Sequence, residues 1–137
     1  MPTGDAGTVL LDTHVLLWWQ AESDRLSKRA REQVTTADRV LVSPVSCWEV
    51  AMLIDKQRVS LDRPTAVWVR DLFTSNVSPA DLTPGVAVAA AELVDFHGDP
   101  ADRFIYATAR SLDCPLISQD QAVRRYARKD RSVSVIW

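Results

Sequence analysis

Short apolar runs rich in β-branched residues alternate with helical segments along the chain, and this alternation constrains the fold more than any other feature. The runs are Thr8–Asp12, Arg39–Ser43, Pro115–Ser118 and Ser132–Trp137. The segments between them are too long for hairpins, so crossover connections and parallel strands are required. We therefore predict an α/β fold, with helices covering both faces of a central, mainly parallel sheet.

Apolar periodicity and capping residues set the helices between these strands. Helices are predicted at residues 14–20, 27–35, 44–56, 84–93, 100–112 and 121–128, with a further one beginning near Pro64. In the helix after Pro44, we expect Val45, Trp48 and Met52 to form the buried side.

The chain is short enough for a single domain. Its 137 residues, 47% of them hydrophobic, are enough to bury one core, and no linker is visible, so we expect one domain over residues 1–137 with 1–7 as a flexible lead. The formal net charge of −2 gives no general attraction to a polyanion, so nucleic-acid contacts would have to be local or metal-mediated. Cys47 and Cys114 lack ligand spacing, and no export signal or membrane span is visible, which together predict a cytoplasmic protein.

Acidic residues occur where strand ends and helix starts should meet. Asp12 ends the first strand, Asp120 follows the third, Asp99 and Asp102 open a helix, and Glu49 lies one turn inside another helix. In an open parallel sheet, ligands bind beyond the carboxyl ends of the strands. We therefore expect these carboxylates to converge.

Each acid except one also has a purely structural interpretation. Asp12, Asp99 and Asp120 precede helices and would serve as N-caps, and Asp102 in a first turn would interact with the helix dipole. Glu49 is too deep in its helix to cap it and has no lysine or arginine three or four residues away. An ionised carboxylate among apolar neighbours needs a cation from elsewhere.

Several carboxylates at one sheet edge repel each other unless a positive charge lies between them. Hard oxygen ligands without a Cys/His cluster favour Mg²⁺ or Mn²⁺ over zinc. Such an ion lowers the pKa of a bound water and stabilises the charge that develops on a phosphodiester. The pattern therefore predicts metal-assisted phosphodiester hydrolysis.

Four motifs, in this order, resemble the PIN-domain ribonucleases and in particular the VapC toxins of VapBC toxin–antitoxin pairs. They are Leu10–Thr13, Ser46–Val50, Asp102–Ala109 and Leu116–Asp120. The resemblance implies a three-layer α/β/α PIN-like domain in which Asp12, Glu49 and Asp102 hold an essential Mg²⁺, for which Mn²⁺ substitutes. Asp120 then completes the acidic pocket or binds a second ion. Asp99 is expected as a cap, with an outer-shell ligand as the alternative.

The resemblance also implies an endoribonuclease that cleaves tRNA, rRNA or mRNA, inhibits translation, forms a homodimer and is bound by a VapB-like antitoxin. For RNA contact, the basic helix with Arg124, Arg125 and Arg128 is a candidate to follow the phosphate backbone, or else is a solvated helix end. Arg103 is expected to bind phosphate with its guanidinium fork.

The remaining assignments concern polar and aromatic neighbours of these acids. Thr13 and Ser118 either order metal-bound waters or make local hydrogen bonds, and His14 is expected to be structural. Because consecutive residues on a helix point about 100° apart, we expect Trp18 or Trp19 to be exposed. With Leu16, Leu17, Trp68 and Phe73, that ring would line an apolar groove for a partner segment or a second subunit, unless the tryptophans are all core.

Two other function classes compete. A receiver-like phosphoacceptor domain needs a lysine at the end of a late strand, and Lys28, Lys56 and Lys129 are not so placed. A catalytically silent PIN-like binding module is the other alternative, but the acidic positions of the motifs are filled, so nothing in the sequence favours it.

Overall fold

The computed structural model describes residues 7–73 and 76–137. The elements follow in the order β1 (Thr8–Leu11), α1 (Thr13–Gln20), α2 (Lys28–Thr36), β2 (Arg39–Val42), α3 (Pro44–Asp55), α4 (Thr65–Leu72), β3 (Val77–Pro79), α5 (Pro84–Ala91), α6 (Pro100–Leu112), β4 (Leu116–Ile117), α7 (Gln121–Asp130) and β5 (Val135–Ile136). The predicted flexible lead lies, apart from Gly7, outside the described residues.

The strands form one parallel sheet in the order β3-β2-β1-β4-β5. In the centre, Leu10 of β1 pairs with Leu41 of β2 on one side and Leu116 of β4 on the other. The predicted α/β class and parallel sheet are confirmed. Strand β3 was not predicted, because it is a three-residue edge strand that ends in Pro79, and proline is tolerated only at such edges.

Alternate strand residues face two separate cores, which makes the domain three-layered. On one face, Val9 and Leu11 pack with the buried side chains of α1, α2 and α4. On the other face, Leu10 packs with Ile105, Tyr106 and other buried residues of α6 and α7. A central strand covered on both sides must be apolar at every position, since each fully buried leucine or valine stabilises the fold by about 1.5–3 kcal/mol.

Several helices begin directly after a strand, and this brings their N-termini to the carboxyl edge of the sheet. Asp12 follows β1 and caps α1, while Ser43 follows β2 and caps α3, with Pro44 in the first helical position. Asp120 caps α7 two residues beyond Ser118, which itself follows β4. Strand ends and helix starts therefore meet in one region, as the sequence predicts.

The buried side of α3 differs from the prediction. Trp48 is 60% exposed, and Val45 and Met52 are only half-buried. The buried side chains of this helix are Ser46, Glu49 and Val50. The assignment was wrong because polar side chains of α3 find hydrogen-bond partners inside the protein, so the helix turns that side inward.

The tryptophan pair on α1 is also placed differently. Trp18 and Trp19 are both half-buried against the core, so the expectation that one of them is exposed is wrong. Trp18 packs on Trp137, with ring centroids 5.8 Å apart. Cys47 and Cys114 are free thiols, half-buried and buried. None of the helices in the described part of the chain combines the length and apolar character needed to cross a membrane.

Candidate active site

The acids singled out in the sequence line one small pocket at the carboxyl edge of the sheet. Its volume is about 260 Å³. The carboxylates in its wall belong to Asp12, Glu49, Asp99, Asp102 and Asp120. The other lining residues are Thr13, His14, Trp18 and Gln119. Residues up to 108 positions apart in the sequence are thus brought together, which we call the acidic pocket.

Asp12 is fixed through both carboxylate oxygens. Oδ1 accepts from the Val15 backbone N–H at 2.9 Å, which caps α1, and Oδ2 accepts from the Ser118 hydroxyl. Ser118 Oγ in turn accepts from the Asp120 backbone N–H at 3.1 Å. Burial raises the pKa of Asp12, and the bonds from Ser118 and Val15 counteract that rise. Asp12 therefore joins the ends of β1 and β4 to the starts of two helices.

Glu49 is held by a hydroxyl group from α1. The Thr13 hydroxyl donates to Glu49 Oε1 and lies 3.0 Å from Ser46 Oγ. The carboxylate is only 9% exposed. Sequence reasoning placed Thr13 and Ser118 as water-ordering groups, and the structure shows each hydroxyl bonded directly to a carboxylate.

Asp99 caps α6, as expected, because its Oδ1 accepts from the Asp102 backbone N–H at 2.9 Å. Asp102 is half-buried, and its carboxylate accepts no hydrogen bond from the residues that the structure describes. Burial, followed by the charges of Asp99, Asp120, Asp12 and Glu49, raises the pKa of Asp102 to about 7. Asp102 is the group on which the combined negative charge of the pocket acts most strongly.

No lysine or arginine of the described residues forms an ion pair with the acids of the pocket. Within residues 7–73 and 76–137, the ion pairs join Arg63 to Asp62 and Asp71, Arg70 to Asp71, and Arg110 to Asp130. None of the acids in the pocket takes part in them. The absence of a nearby lysine or arginine that the sequence indicated for Glu49 thus extends to the whole group. The charge of His14, in the pocket wall, lowers the pKa of Asp12, but one imidazole cannot balance several carboxylates.

The donor chemistry of the pocket suits a hard divalent cation, because every acid offers oxygen and no Cys or His cluster competes. As they stand, no three Asp, Glu, His or Cys side chains of the described residues are grouped tightly enough to hold an ion directly. Asp12, Glu49, Asp99 and Asp120 each turn an oxygen to a protein donor. Mg²⁺ usually keeps several waters, and at roughly 30 Å³ per water a hydrated ion fits this volume.

Arg103 is not part of the acidic pocket. Its guanidinium donates to the carbonyl oxygens of Ala90 (3.0 Å), Leu93 (3.3 Å) and Phe96 (3.1 Å), and lies 5.6 Å from the centroid of the Phe96 ring. The expected phosphate contact is not supported by this geometry, because most of the fork is bonded to backbone. Arg103 instead ties the segment between α5 and α6 to the first turn of α6.

Gly98 is a residue of this region that sequence reasoning missed. A Cβ at this position would overlap the Phe96 ring and lie 2.9 Å from the Cβ of Asp102. The missing side chain allows the loop to pass closely against Asp102. The only available signal was a glycine directly before Asp99 in a chain with four glycines.

The basic side chains of α7 lie outside the acidic pocket. Arg124 and Arg128 are four residues apart and line a separate cavity of about 340 Å³, together with Arg29 and Trp137. Arg125 is exposed and lies outside this cavity. The structure thus groups two of the three predicted arginines, without joining them to the acids.

His14 lies closer to the acids than the sequence suggested. It is exposed, lines the acidic pocket and packs on Trp18 with ring centroids 5.9 Å apart. The predicted apolar groove exists in part, as a groove of about 850 Å³ lined by Leu17, Trp18 and Trp68. The other predicted residues do not line it: Leu16 is in the core, and Trp19 and Phe73 pack against the core.

Comparisons with known proteins identify the family of the chain. Residues 9–129 match the PIN domain family, so the chain belongs to the PIN-domain family. Within it, the chain is similar to Ribonuclease VapC22 of Mycobacterium tuberculosis, with 41% identity over 129 residues, 93% of this chain and 98% of the relative. Its place is therefore among the VapC-like members.

Solved structures support the fold. VapBC2 from Rickettsia felis, bound to a DNA fragment from its promoter, matches with a TM-score of 0.66 at 12% identity, over 94% of this chain and 97% of that one. VapBC-1 from nontypeable Haemophilus influenzae matches with a TM-score of 0.64 at 19% identity, over 94% and 96%. At these identities the likeness concerns the fold alone.

Proposed function

We propose that this protein is a Mg²⁺-dependent endoribonuclease that acts as the toxin of a toxin–antitoxin pair and inhibits translation by hydrolysing RNA. The observation that carries the proposal is the acidic pocket, whose carboxylates have no lysine or arginine partner among the described residues. The VapC22 relative, itself a ribonuclease by name, supports the choice of RNA. The acids that would hold a cation are thus the same carboxylates whose negative charge no lysine or arginine of the described residues offsets.

In this proposal Asp12, Glu49 and Asp102 hold Mg²⁺, for which Mn²⁺ substitutes, and Asp120 completes the pocket or holds a second ion. Asp99 caps α6, and the outer-shell ligand role stays the alternative for this residue. When bound, the ion supplies a polarised water of lowered pKa and offsets charge on the phosphodiester.

The protein's own contribution is orientation. Ser118 and the Val15 N–H fix the two oxygens of Asp12, while Thr13 fixes one oxygen of Glu49, leaving the other for the ion. Such outer-shell bonds typically contribute 10–100-fold to metal affinity or activity.

The partners proposed are an RNA substrate of the tRNA, rRNA or mRNA class, a VapB-like antitoxin and a second copy of the chain, in the cytoplasm. The antitoxin is supported by the solved neighbours, which are VapBC proteins. Arg124, Arg125 and Arg128 are proposed to attract the RNA backbone, since their charges are exposed or half-exposed near the N-terminal Asp120 of the same helix.

The test is cleavage of a mixed pool of tRNA, rRNA and mRNA with and without Mg²⁺. Wild type is expected to cut only with Mg²⁺ or Mn²⁺, and Asp12→Asn is expected to be slower by at least about 100-fold, because a ligand charge is lost. Asparagine caps helices as well as aspartate, so α1 is preserved. Asp24→Asn, at an exposed acid outside the pocket, is the matched control.

Cleavage that persists in Asp12→Asn at the wild-type rate would contradict the metal mechanism. No cleavage by any of the proteins, with correctly folded wild type, would favour the catalytically silent binding module.

A further inference from the structure

A groove of about 850 Å³ opens directly from the acidic pocket. The two share His14, Trp18, Glu49 and Asp99 in their walls. We call it the lateral groove; away from the pocket it is lined by Arg25, Leu53, Arg58 and Leu61, among others. If a polymer has one phosphate in the small acidic pocket, the rest of the polymer must extend over the protein surface outside it. The lateral groove offers such a path because it is continuous with the pocket.

Two arginines in the lateral groove have no protein partner. Arg25 and Arg58 are exposed, and their guanidinium groups form no ion pair or hydrogen bond within the part of the chain that the structure describes. Arg63, in the same wall, instead lies 3.7 Å from Asp62 and 3.6 Å from Asp71. Carboxylates also line the groove, but Asp62 faces Arg63, and Glu49 and Asp99 belong to the end shared with the acidic pocket. Arg25 and Arg58 are thus the guanidinium groups of the groove that are free to bind an anion of phosphate geometry.

A row of aromatic rings ends at the junction of the pocket and the groove. Trp137 packs on Trp18 at 5.8 Å, and Trp18 packs on His14 at 5.9 Å. The two tryptophans are half-buried and pack against the core, whereas the imidazole of His14 is exposed. A flat ring backed in this way offers a stacking surface to a nucleobase, and such stacking tolerates any base.

We propose that single-stranded RNA next to the cleaved phosphodiester runs through the lateral groove, with its phosphates on Arg25 and Arg58 and one base stacked on His14. This inference rests on the proposed ribonuclease function. It gives the strand a path that shares no lining residue with the cavity of Arg124 and Arg128. Leu53 and Leu61 in the floor would also suit a polypeptide, but unpaired guanidiniums and continuity with the pocket favour a phosphate backbone.

The experiment measures binding of a fluorescein-labelled 12-nucleotide RNA of mixed sequence by fluorescence anisotropy. All proteins carry Asp12→Asn, so that the RNA stays intact, and Mg²⁺ is present throughout. Arg25→Gln/Arg58→Gln is expected to bind about tenfold more weakly at low salt. Loss of two phosphate contacts should also reduce the slope of log K against log[salt] by about 1.4, at roughly 0.7 per contact for single strands.

Matched double variants separate this effect from simple loss of charge. Arg39→Gln/Arg131→Gln makes the same change in charge at exposed arginines outside both cavities, and its slope is expected to stay near that of the parent. Arg124→Gln/Arg128→Gln reports the contribution of α7. The slope does not depend on the fraction of active protein, so a partly misfolded variant does not imitate the result.

Stacking is tested at His14. His14→Ala is expected to weaken binding about tenfold, as is typical for removal of a stacked ring, whereas His14→Phe keeps a flat ring and stays close to the parent. Equal losses in both variants would assign the effect to something other than stacking and would overturn that part of the proposal.

The outcomes separate the groove from the function. Cleavage by wild type with an unchanged salt slope in Arg25→Gln/Arg58→Gln overturns the groove and leaves the ribonuclease intact. Normal RNA binding by that variant together with loss of a polypeptide partner assigns the groove to the partner instead, which also overturns the proposal. If wild type does not cleave RNA and Asp12→Asn does not bind it, both proposals fail.

Discussion

A half-buried carboxylate lies at each end of α6, one on the helix itself and one on the neighbouring α7, and the protein treats the two in opposite ways. Asp102, in the first turn, has no cation and accepts no hydrogen bond from the described residues, and burial together with neighbouring acids raises its pKa to about 7. Asp130 lies against the other end, where Arg110 pairs with it at 2.9 Å and the Tyr106 hydroxyl donates at 2.7 Å. Burial opposes its ionisation, but bonds from Ser132, Tyr106 and Arg110 outweigh this and lower its pKa to about 2.

The difference shows that burial does not identify a functional carboxylate here, because both groups are half-buried. What separates them is whether the chain supplies the compensating charge. Asp130 receives a positive charge from Arg110 and a hydrogen bond from Tyr106, so it joins α6 to α7 and needs no ligand. Where no side chain supplies that charge, the acid is prepared for a charge that arrives with a ligand.

The largest expected effect is on catalysis. Asp102→Asn should slow Mg²⁺-dependent RNA cleavage by at least about 100-fold, because it removes the least compensated ligand charge from the pocket. Asp130→Asn, at the end of α7 that pairs with Arg110 of α6, should stay within about threefold of wild type. Initial cleavage rates of the two variants on one RNA substrate test this prediction. Similar losses of activity in both variants would contradict the view that Asp102 is functional and Asp130 structural.

Mg²⁺ should stabilise the fold through the same end of α6. At a concentration of about 100 times its Kd, the ion is expected to raise the free energy of unfolding by about 2.7 kcal/mol. The gain should shrink in Asp102→Asn and persist in Asp130→Asn. Urea titrations with and without MgCl₂ measure it, and an equal gain in Asp102→Asn would show that the ion binds elsewhere.

The loop before α6 should respond to added volume. Gly98→Ala is expected to lower the free energy of unfolding by about 1–3 kcal/mol, because the new Cβ overlaps Phe96 and crowds Asp102. Gly85→Ala is the matched control: its Cβ meets only Thr83 Oγ1, at 3.9 Å, and alanine favours the helix by up to about 1 kcal/mol. Urea unfolding of both variants tests this. If Gly98→Ala were as stable as wild type, the loop would have to move aside without cost, which would contradict the prediction.

The smallest expected effect is on the stability of the fold at acidic pH. Because the folded pKa of Asp130 lies below the ordinary value of 3.8, its contribution is present above about pH 4 and is lost as the pH falls toward 2. Asp130→Asn should lack this component, which we expect to be about 1 kcal/mol at a partly exposed site. Parallel wild-type and variant stability curves between pH 5 and pH 2 would contradict the assignment.

The convergence of the acids followed from local rules. A strand that ends in an acid, and an acid that caps the next helix, both place the carboxylate at the same edge of a parallel sheet. For this reason the sequence predicts both that Asp12, Asp99 and Asp120 cap helices and that their carboxylates lie close together. That these acids bind a metal ion remains a prediction.

The errors came from contacts between distant segments. Hydropathy placed Trp48 inside, but the interior side of α3 is decided by Thr13, 36 residues before Glu49, which satisfies a buried carboxylate. Likewise, the phosphate-binding role given to Arg103 ignored the carbonyls of Ala90 and Leu93, whose direction depends on how the preceding loop folds. Neither contact leaves a periodic signal in the sequence.

The caps at Asp12, Asp99 and Asp120 also limit how this chain can change in length. Each of these residues decides where a helix begins, so one residue inserted just after it would rotate the following turn by about 100° and pull the carboxylate out of alignment. Insertions beside these three positions should therefore abolish activity even where the protein still folds.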